Sequence, residues 1–200
     1  GKTIVGRSIE AFEKNSGIDE IIVVSEPACI EKIAEIVKNS GFKKVTKIVP
    51  GGAVRAESSS IGVGEIAEND AKILIHDAAR PFVSQGIIDD CISALDSSDA
   101  VHTAIKATDT IIEAENGKMA ATTDRSRMMQ VQTPQGFRAS VIKKAHANAK
   151  KDGFAGATDD CGIVFKYGLA DISIVEGERT NIKITYPEDI ALAGIIAGKG

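Results

Sequence analysis

Glu20-Ile-Ile-Val-Val-Ser25, then Pro27 to Asn39, then Val45 to Val49, is the stretch that decides the fold. Its first run is continuous and β-branched, the mark of a strand buried on both faces. The second spaces its apolar residues as a helix does, tolerates Pro27 in its first turn and meets Gly41 just past its end. The third is again extended. Strand, helix, strand in this succession is the unit of a parallel sheet. Upstream, Ile4, Val5, Ile9 and Phe12 predict an amphipathic helix from Thr3 to about Asn15, closed by Ser16-Gly17. Downstream, Gly51-Gly52 breaks the chain before a helix over Arg55 to Glu68. Lys72 to His76 is a third strand, Ile87 to Leu95 a helix and Ala100 to Ala107 a strand. Ser140 to Lys150 and Thr158 to Tyr167 read as helices, Asp171 to Val175 as a strand and Pro187 to about Ala197 as a last helix. The expectation is an α/β chain, one domain over residues 1–200, with a doubly wound, mostly parallel, Rossmann-like sheet and helices on both faces.

The alternation fails over about residues 107–128. There Asn116-Gly117, a favoured two-residue hairpin turn, lies between two runs that can be extended. This predicts a protruding β-arm. A lone two-stranded hairpin is marginal in water, so the arm is expected to pack against a second subunit, with a surface flap as the alternative.

Composition narrows the classes of function. With 43% hydrophobic residues the chain can bury a core. Its 24 Lys+Arg against 28 Asp+Glu leave a formal charge of −4 without any basic run, and aromatic residues are 4% with no Trp. Nucleic-acid binding is therefore not expected. Cys29, Cys91 and Cys161 have no metal-ligand spacing and read as reduced thiols. No apolar stretch approaches the length of a membrane span and the opening residues show no leader pattern, so a cytoplasmic protein without membrane contact is expected.

In an open parallel sheet, ligands bind beyond the carboxyl ends of the strands. His76-Asp-Ala-Ala-Arg-Pro81 occupies such a position. Asp77 could hold a hard cation such as Mg²⁺, directly or through water, or accept from a sugar hydroxyl; the plain alternative is a turn cap. Ala78 and Ala79 would let a ligand approach the backbone. Arg80 could meet a phosphate or a neighbouring carboxylate. Gly51-Gly52-Ala-Val-Arg55-Ala-Glu-Ser58 opens a helix after another strand, where paired glycines and free amides suit an anion or a polar base edge. Ser58-Ser-Ser60 is unusual inside a helix, and at least one hydroxyl should face something polar. Thr123-Asp-Arg125-Ser-Arg127, Thr133-Pro-Gln135, Thr158 and Lys183 supply the forks, ammonium and hydroxyls that recognise phosphate. Each also has a bland reading: Thr158 as a helix cap, Thr185 with Glu188 as a capping box, Lys183 as a solvated strand end. None of His76, His102 and His146 reads as a catalytic base. Hydrolase, zincin and P-loop signatures are absent from the sequence.

His76-Asp-Ala-Ala-Arg-Pro81, Gly51-Gly-x-x-Arg55-x-x-Ser58, Thr133-Pro-Gln135 and Val175-Glu-Gly-x-x-x-Asn-Ile-Lys183-Ile-Thr-x-Pro-Glu-Asp189, in register over essentially the whole chain, resemble the 2-C-methyl-D-erythritol 4-phosphate cytidylyltransferases of non-mevalonate isoprenoid biosynthesis. The resemblance implies a nucleotidyltransferase fold and transfer of CMP from CTP to methylerythritol phosphate, with release of pyrophosphate and Mg²⁺ as cofactor. It also implies a homodimer joined through the β-arm. It places Gly52, Ala53 and Ser58 at the cytosine and Ala78 near the ribose. Asp77, Thr110, Arg125, Thr133, Thr158 and Lys183 fall around the reacting phosphates and the methylerythritol, with Lys183, Asp77 and Arg125 as the catalytic set and Asp77 as the metal ligand. Thr110 and Arg125 are expected to reach a partner subunit's site, and Arg55 and Arg80 to support. Ser59 and Ser60 depart from the more apolar residues usual there. The family opens with a strand and a Gly-rich loop, whereas Gly1-Lys-Thr-Ile-Val matches a point after them, so a longer chain is expected. Two other readings stand beside this one: a pentitol-phosphate enzyme such as a ribitol 5-phosphate cytidylyltransferase, and a nucleotide-binding module without catalysis.

Overall fold

In the computed structural model, residues 2–154 and 156–198 are described; the expectation about Gly1 lies outside them. The first helix, α1 (Ile4–Glu13), begins where the Thr3 hydroxyl accepts from the Gly6 amide. Strand β1 (Ile21–Ser25) pairs in parallel with β2 (Val45–Pro50), across a 3₁₀ turn at Pro27–Cys29 and helix α2 (Ile30–Ser40). Gly41 ends α2 at φ 68°, the left-handed conformation that glycine adopts without a side-chain clash. β1 is half-buried rather than buried on both faces, and among the described residues its other edge pairs with no strand.

Helix α3 (Arg55–Gly64) leads to β3 (Lys72–Ile75), and α4 (Gln85–Ala94), capped by Ser84, leads to β4 (Ala100–Lys106). The arm follows as β5 (Ile112–Glu115) and β6 (Lys118–Thr122). They pair antiparallel through Asn116 and Gly117, both at positive φ as a tight hairpin of this kind requires.

The sequence reading missed β7 (Met129–Arg138), which lies in the middle of the main sheet, ordered β3-β7-β4-β8 with β8 at Ile172–Glu176. β7 runs antiparallel to both neighbours while β4 and β8 are parallel. The sheet is thus mostly parallel in strand direction with one strand reversed. Pro134 cannot donate to a ladder, and it is accommodated where the pairing slips between His102 and Ala104. There the Thr103 hydroxyl donates to the Pro134 carbonyl at 2.6 Å.

Neighbouring residues on a strand point to opposite faces, and here both faces are covered. Ala100, Ile73, Ile75 and Phe137 pack with α3, α5 (Ala139–Lys151) and α6 (Asp160–Lys166). Val101 and Leu74 pack with α1 and α4. The doubly wound arrangement follows from this alternation. The last helix, α7 (Pro187–Ala197), buries none of its residues. Several boundaries differ from the reading by a few residues; among them, α3 stops at Gly64 instead of Glu68, and β3 at Ile75, leaving His76 to open the loop.

Candidate active site

The loop after β3 is fixed from several sides. The Arg80 amide donates to the Asp77 carbonyl, closing a turn over Asp77 to Arg80. The Ser8 hydroxyl of α1 donates to the Ala78 carbonyl at 2.7 Å, and the Phe12 ring packs against His76. Thr133 of β7 accepts from the Asp77 amide at 3.0 Å and lies 3.0 Å from His76 Nδ1. The other imidazole nitrogen, Nε2, faces the Arg80 carbonyl, which can only accept, so Nε2 carries the proton and Nδ1 accepts from Thr133. Burial pushes the His76 pKa down to about 4, and the neutral ring holds the loop. His76 is a satisfied structural histidine, as expected.

The Asp77 carboxylate projects from this fixed turn. Lys183 Nζ donates to its Oδ2 at 2.8 Å, and Arg55 Nε approaches its Oδ1 at 3.4 Å. Burial pushes the Asp77 carboxyl up, but Lys183 and then Arg55 outweigh it and hold the group below the ordinary carboxylate range. Lys183 arrives here because the Ile184 amide donates to the Ala79 carbonyl at 2.8 Å. Asn181, fully buried, donates to the Thr133 carbonyl and accepts Arg80 through its own carbonyl. Arg80 also donates to the Val131 carbonyl, so it binds main chain and forms none of the carboxylate pairs considered for it.

Arg55 connects this cluster to a groove of about 570 Å³ lined by Val24, Ser25, Pro27, Gly52, Ala53 and Ser58. The Gly52 amide donates to Ser58 Oγ at 3.1 Å and the Ala53 amide to Glu57 Oε2 at 2.8 Å. Two main-chain N–H groups and a hydroxyl therefore line a concave surface that Arg55 joins to a cation-braced carboxylate. That arrangement suits a base edge at one end and phosphates at the other.

The structure thus brings together Asp77, Lys183, Arg55, Arg80 and Thr133, with Gly52, Ala53 and Ser58 in the adjoining groove and Ala78 exposed on the Asp77 turn. Thr133 is 5% exposed and its hydroxyl is committed to the Asp77 turn. Thr110 and Arg125 are exposed at the base of the arm, where Arg125 reaches the Thr108 carbonyl; neither bonds to the Asp77 cluster. Thr158 is exposed before α6, whose cap is Asp159, accepting from the Gly162 amide at 2.7 Å. The acid that reaches back at α7 is Asp189, one residue beyond the expected Glu188, accepting from the Thr185 and Tyr186 amides.

Sequence reasoning gave Asp160, Asn181, Gln135 and Glu57 no role of their own within the motifs that hold them, and gave His102 and His146 no partner. His102 accepts from the Gln135 carboxamide at 2.7 Å, and His146 lies 3.3 Å from Asp160. The odd serines at Ser58 to Ser60 were the one available signal: Ser59 donates to Asp160 at 2.7 Å.

A sequence profile of the family described as IspD: 2-C-methyl-D-erythritol 4-phosphate cytidylyltransferase matches residues 1–199. The chain is 38% identical over 208 residues to the 2-C-methyl-D-erythritol 4-phosphate cytidylyltransferase of Thermobifida fusca (strain YX), covering 100% of this chain and 84% of that protein. It is 37% identical over 198 residues to the bifunctional ribulose 5-phosphate reductase/CDP-ribitol pyrophosphorylase Bcs1 of Haemophilus influenzae, covering 96% of this chain but 42% of that protein. The crystal structure of 4-diphosphocytidyl-2C-methyl-D-erythritol synthase from Anaerococcus prevotii superposes with a TM-score of 0.90 at 27% identity, covering 99% of this chain and 87% of that one.

Proposed function

Because the chain belongs to the 2-C-methyl-D-erythritol 4-phosphate cytidylyltransferase family, we propose that the Asp77, Lys183 and Arg55 cluster is where it performs that family's reaction. The reaction moves CMP from CTP to the 4-phosphate of 2-C-methyl-D-erythritol. An oxygen of the phosphate monoester bonds to the α-phosphorus of CTP, the bond from that phosphorus to the β-phosphate oxygen breaks, and pyrophosphate leaves. The observation that carries the assignment is the contact of Lys183 with Asp77 at 2.8 Å, beside an Arg55 that spans from Asp77 to the groove.

Little acid–base chemistry is needed. The second pKa of a phosphate monoester is about 6, so the nucleophile is already largely a dianion at neutral pH. The barrier comes from bringing that dianion to a still more negative nucleotide. Alignment and fixed positive charge are therefore the tools. In the groove, the Gly52 and Ala53 amides and the Ser58 hydroxyl are donors of the kind that cytosine's carbonyl and ring nitrogen accept. For Gly52, Ala53 and Ser58 respectively, these donors rest on Ser58 Oγ, Glu57 Oε2 and the Val54 carbonyl, contacts that a base edge would replace. Ala78, without a bulky side chain, leaves room for the ribose. The Lys183 ammonium spends one of its three donors on Asp77, and its side chain is 46% exposed, so it can turn a second donor to a phosphate.

Asp77 fits Mg²⁺. It is held ionised, and that cation typically takes one or two carboxylates plus substrate phosphates and water rather than an all-protein cage. Asp77 would hold the cation, which would supply positive charge beside the nucleotide phosphates. Thr158 and Thr133 stand on the methylerythritol side of this assignment, Thr133 by holding the Asp77 turn.

The exposed arm, with Ile111, Ile112 and Met119 open to solvent, supports a homodimer in which Thr110 and Arg125 enter the partner's site. Among the described residues no helix is long and apolar enough to cross a membrane. Both substrates are multiply charged and do not cross a bilayer unaided, which favours a cytoplasmic place of action. The direct test is pyrophosphate release from CTP with methylerythritol phosphate and, separately, ribitol 5-phosphate. Turnover with the first is expected; preference for the second would move the assignment to the pentitol enzymes, and no turnover with either would leave a nucleotide-binding module.

A further inference from the structure

Asp160 is a charge with no solvent to sustain it. It is 0% exposed, and a carboxylate taken out of water is costly unless its oxygens are fully met. They are met from two helices, α3 and α5. The Ser59 hydroxyl of α3 donates to Oδ1 at 2.7 Å, and His146 Nε2 of α5 lies 3.3 Å from the same oxygen. Arg55 Nη1, at the start of α3, donates to Oδ2 at 2.7 Å. The Asp160 amide in turn donates to Gln135 Oε1 of β7 at 3.1 Å. Burial pushes the Asp160 carboxyl up, but His146, Arg55 and Ser59 together hold it below the ordinary range, so the group stays ionised.

Of these partners, Arg55 also reaches the active site. An arginine beside a lone carboxylate takes it with two parallel donors. Arg55 does not: with Nη1 fixed on Asp160, it turns only Nε toward Asp77, at a long 3.4 Å. Asp77 is braced without being captured, and its Oδ2 stays with Lys183.

We propose that Asp160 is a positioning residue for cytidylyl transfer, dividing Arg55 between two carboxylates so that Asp77 remains available to its cation and to Lys183. This rests on the roles assigned above to Asp77 and Lys183. Asp160→Asn keeps the shape and removes the charge, which frees Arg55 to close on Asp77 as a two-donor pair.

A double-mutant cycle on kcat and KM tests this. Asp160→Asn alone should lower kcat by about tenfold or more, as loss of an outer partner commonly does, with a smaller change in the KM for CTP. In an Arg55→Gln background the same change should then alter kcat by less than about twofold, because the two act as one unit. Effects that multiply would show that Asp160 merely supports the fold and would overturn the proposal. If Asp160→Asn fails to fold, the double variant, which leaves no unpaired buried charge, still decides: kcat equal to that of Arg55→Gln supports positioning, and a far lower kcat refutes it. The Arg55 Nε–Hε resonance gives a reading independent of turnover. It should move in Asp160→Asn, and an unchanged resonance sinks the proposal. An inactive wild-type protein would instead count against the assigned reaction, while the resonance would still report whether Asp160 holds Arg55.

Discussion

Lys183 sits on a short tether, Asn181 in the interior and the Ile184 amide on the Ala79 carbonyl, which brings its half-exposed side chain to Asp77. Because that pair is partly solvated, its removal should cost no more than about 1 kcal/mol of stability. A cation aimed at developing phosphate charge is worth far more to the rate. Lys183→Ala is expected to lower kcat by about 100-fold with a nearly unchanged melting temperature, and near-normal turnover would remove Lys183 from the mechanism. His76 makes a separate prediction. Unfolded, it takes up a proton as pH falls through about 6.5; folded, it does so only near 4. Between those values the unfolded chain binds more protons, so stability is complete above about pH 6.5 and falls toward pH 4, by roughly 3 kcal/mol at most. His102, its pKa lowered by burial, adds in the same direction. Urea midpoints at pH 7 and pH 5 should separate in the wild type and draw closer in His76→Gln; an equal separation in both would show that His76 titrates normally. Asp77 and Lys183 were legible in the sequence because each sits in a short motif just beyond an element. Asp160 was not, since its partners Arg55 and Ser59 lie on a different helix and no local spacing announces a contact across a hundred residues.

At the scale of elements, the arm was readable because Asn116-Gly117 specifies its own turn. β7 was hidden for the opposite reason: Gln132-Thr-Pro-Gln-Gly136 combines a ladder breaker with polar residues, and only burial between β3 and β4 makes it a strand. Those polar side chains are used inward, Gln135 on His102 and Asp160, Thr133 on Asp77. The arm carries the prediction at this level. By sedimentation the wild type should be a dimer, and Ile112→Asp with Met119→Asp should yield folded monomers of reduced activity. A wild type that sediments at monomer mass would refute the dimer, and an unaltered dimer in the variant would place its interface elsewhere.

For the whole molecule, the two apolar clusters divided by one sheet follow from strands buried on both faces, which is why alternation along the chain sufficed for the architecture. It could not give strand order, because nothing local to Leu74 or Val101 states which strand will lie between them. That order has a consequence for biosynthesis. β3 and β4 meet only through β7, whose pairing residues Gln135 to Arg138 trail their β3 partners by the full length of α4, β4 and the arm. A chain emerging from the ribosome must carry two unzipped strand edges through that interval, and non-local pairing of this kind is slow to form. Vectorial synthesis therefore leaves the half-made enzyme most exposed to edge-to-edge association just before β7 emerges.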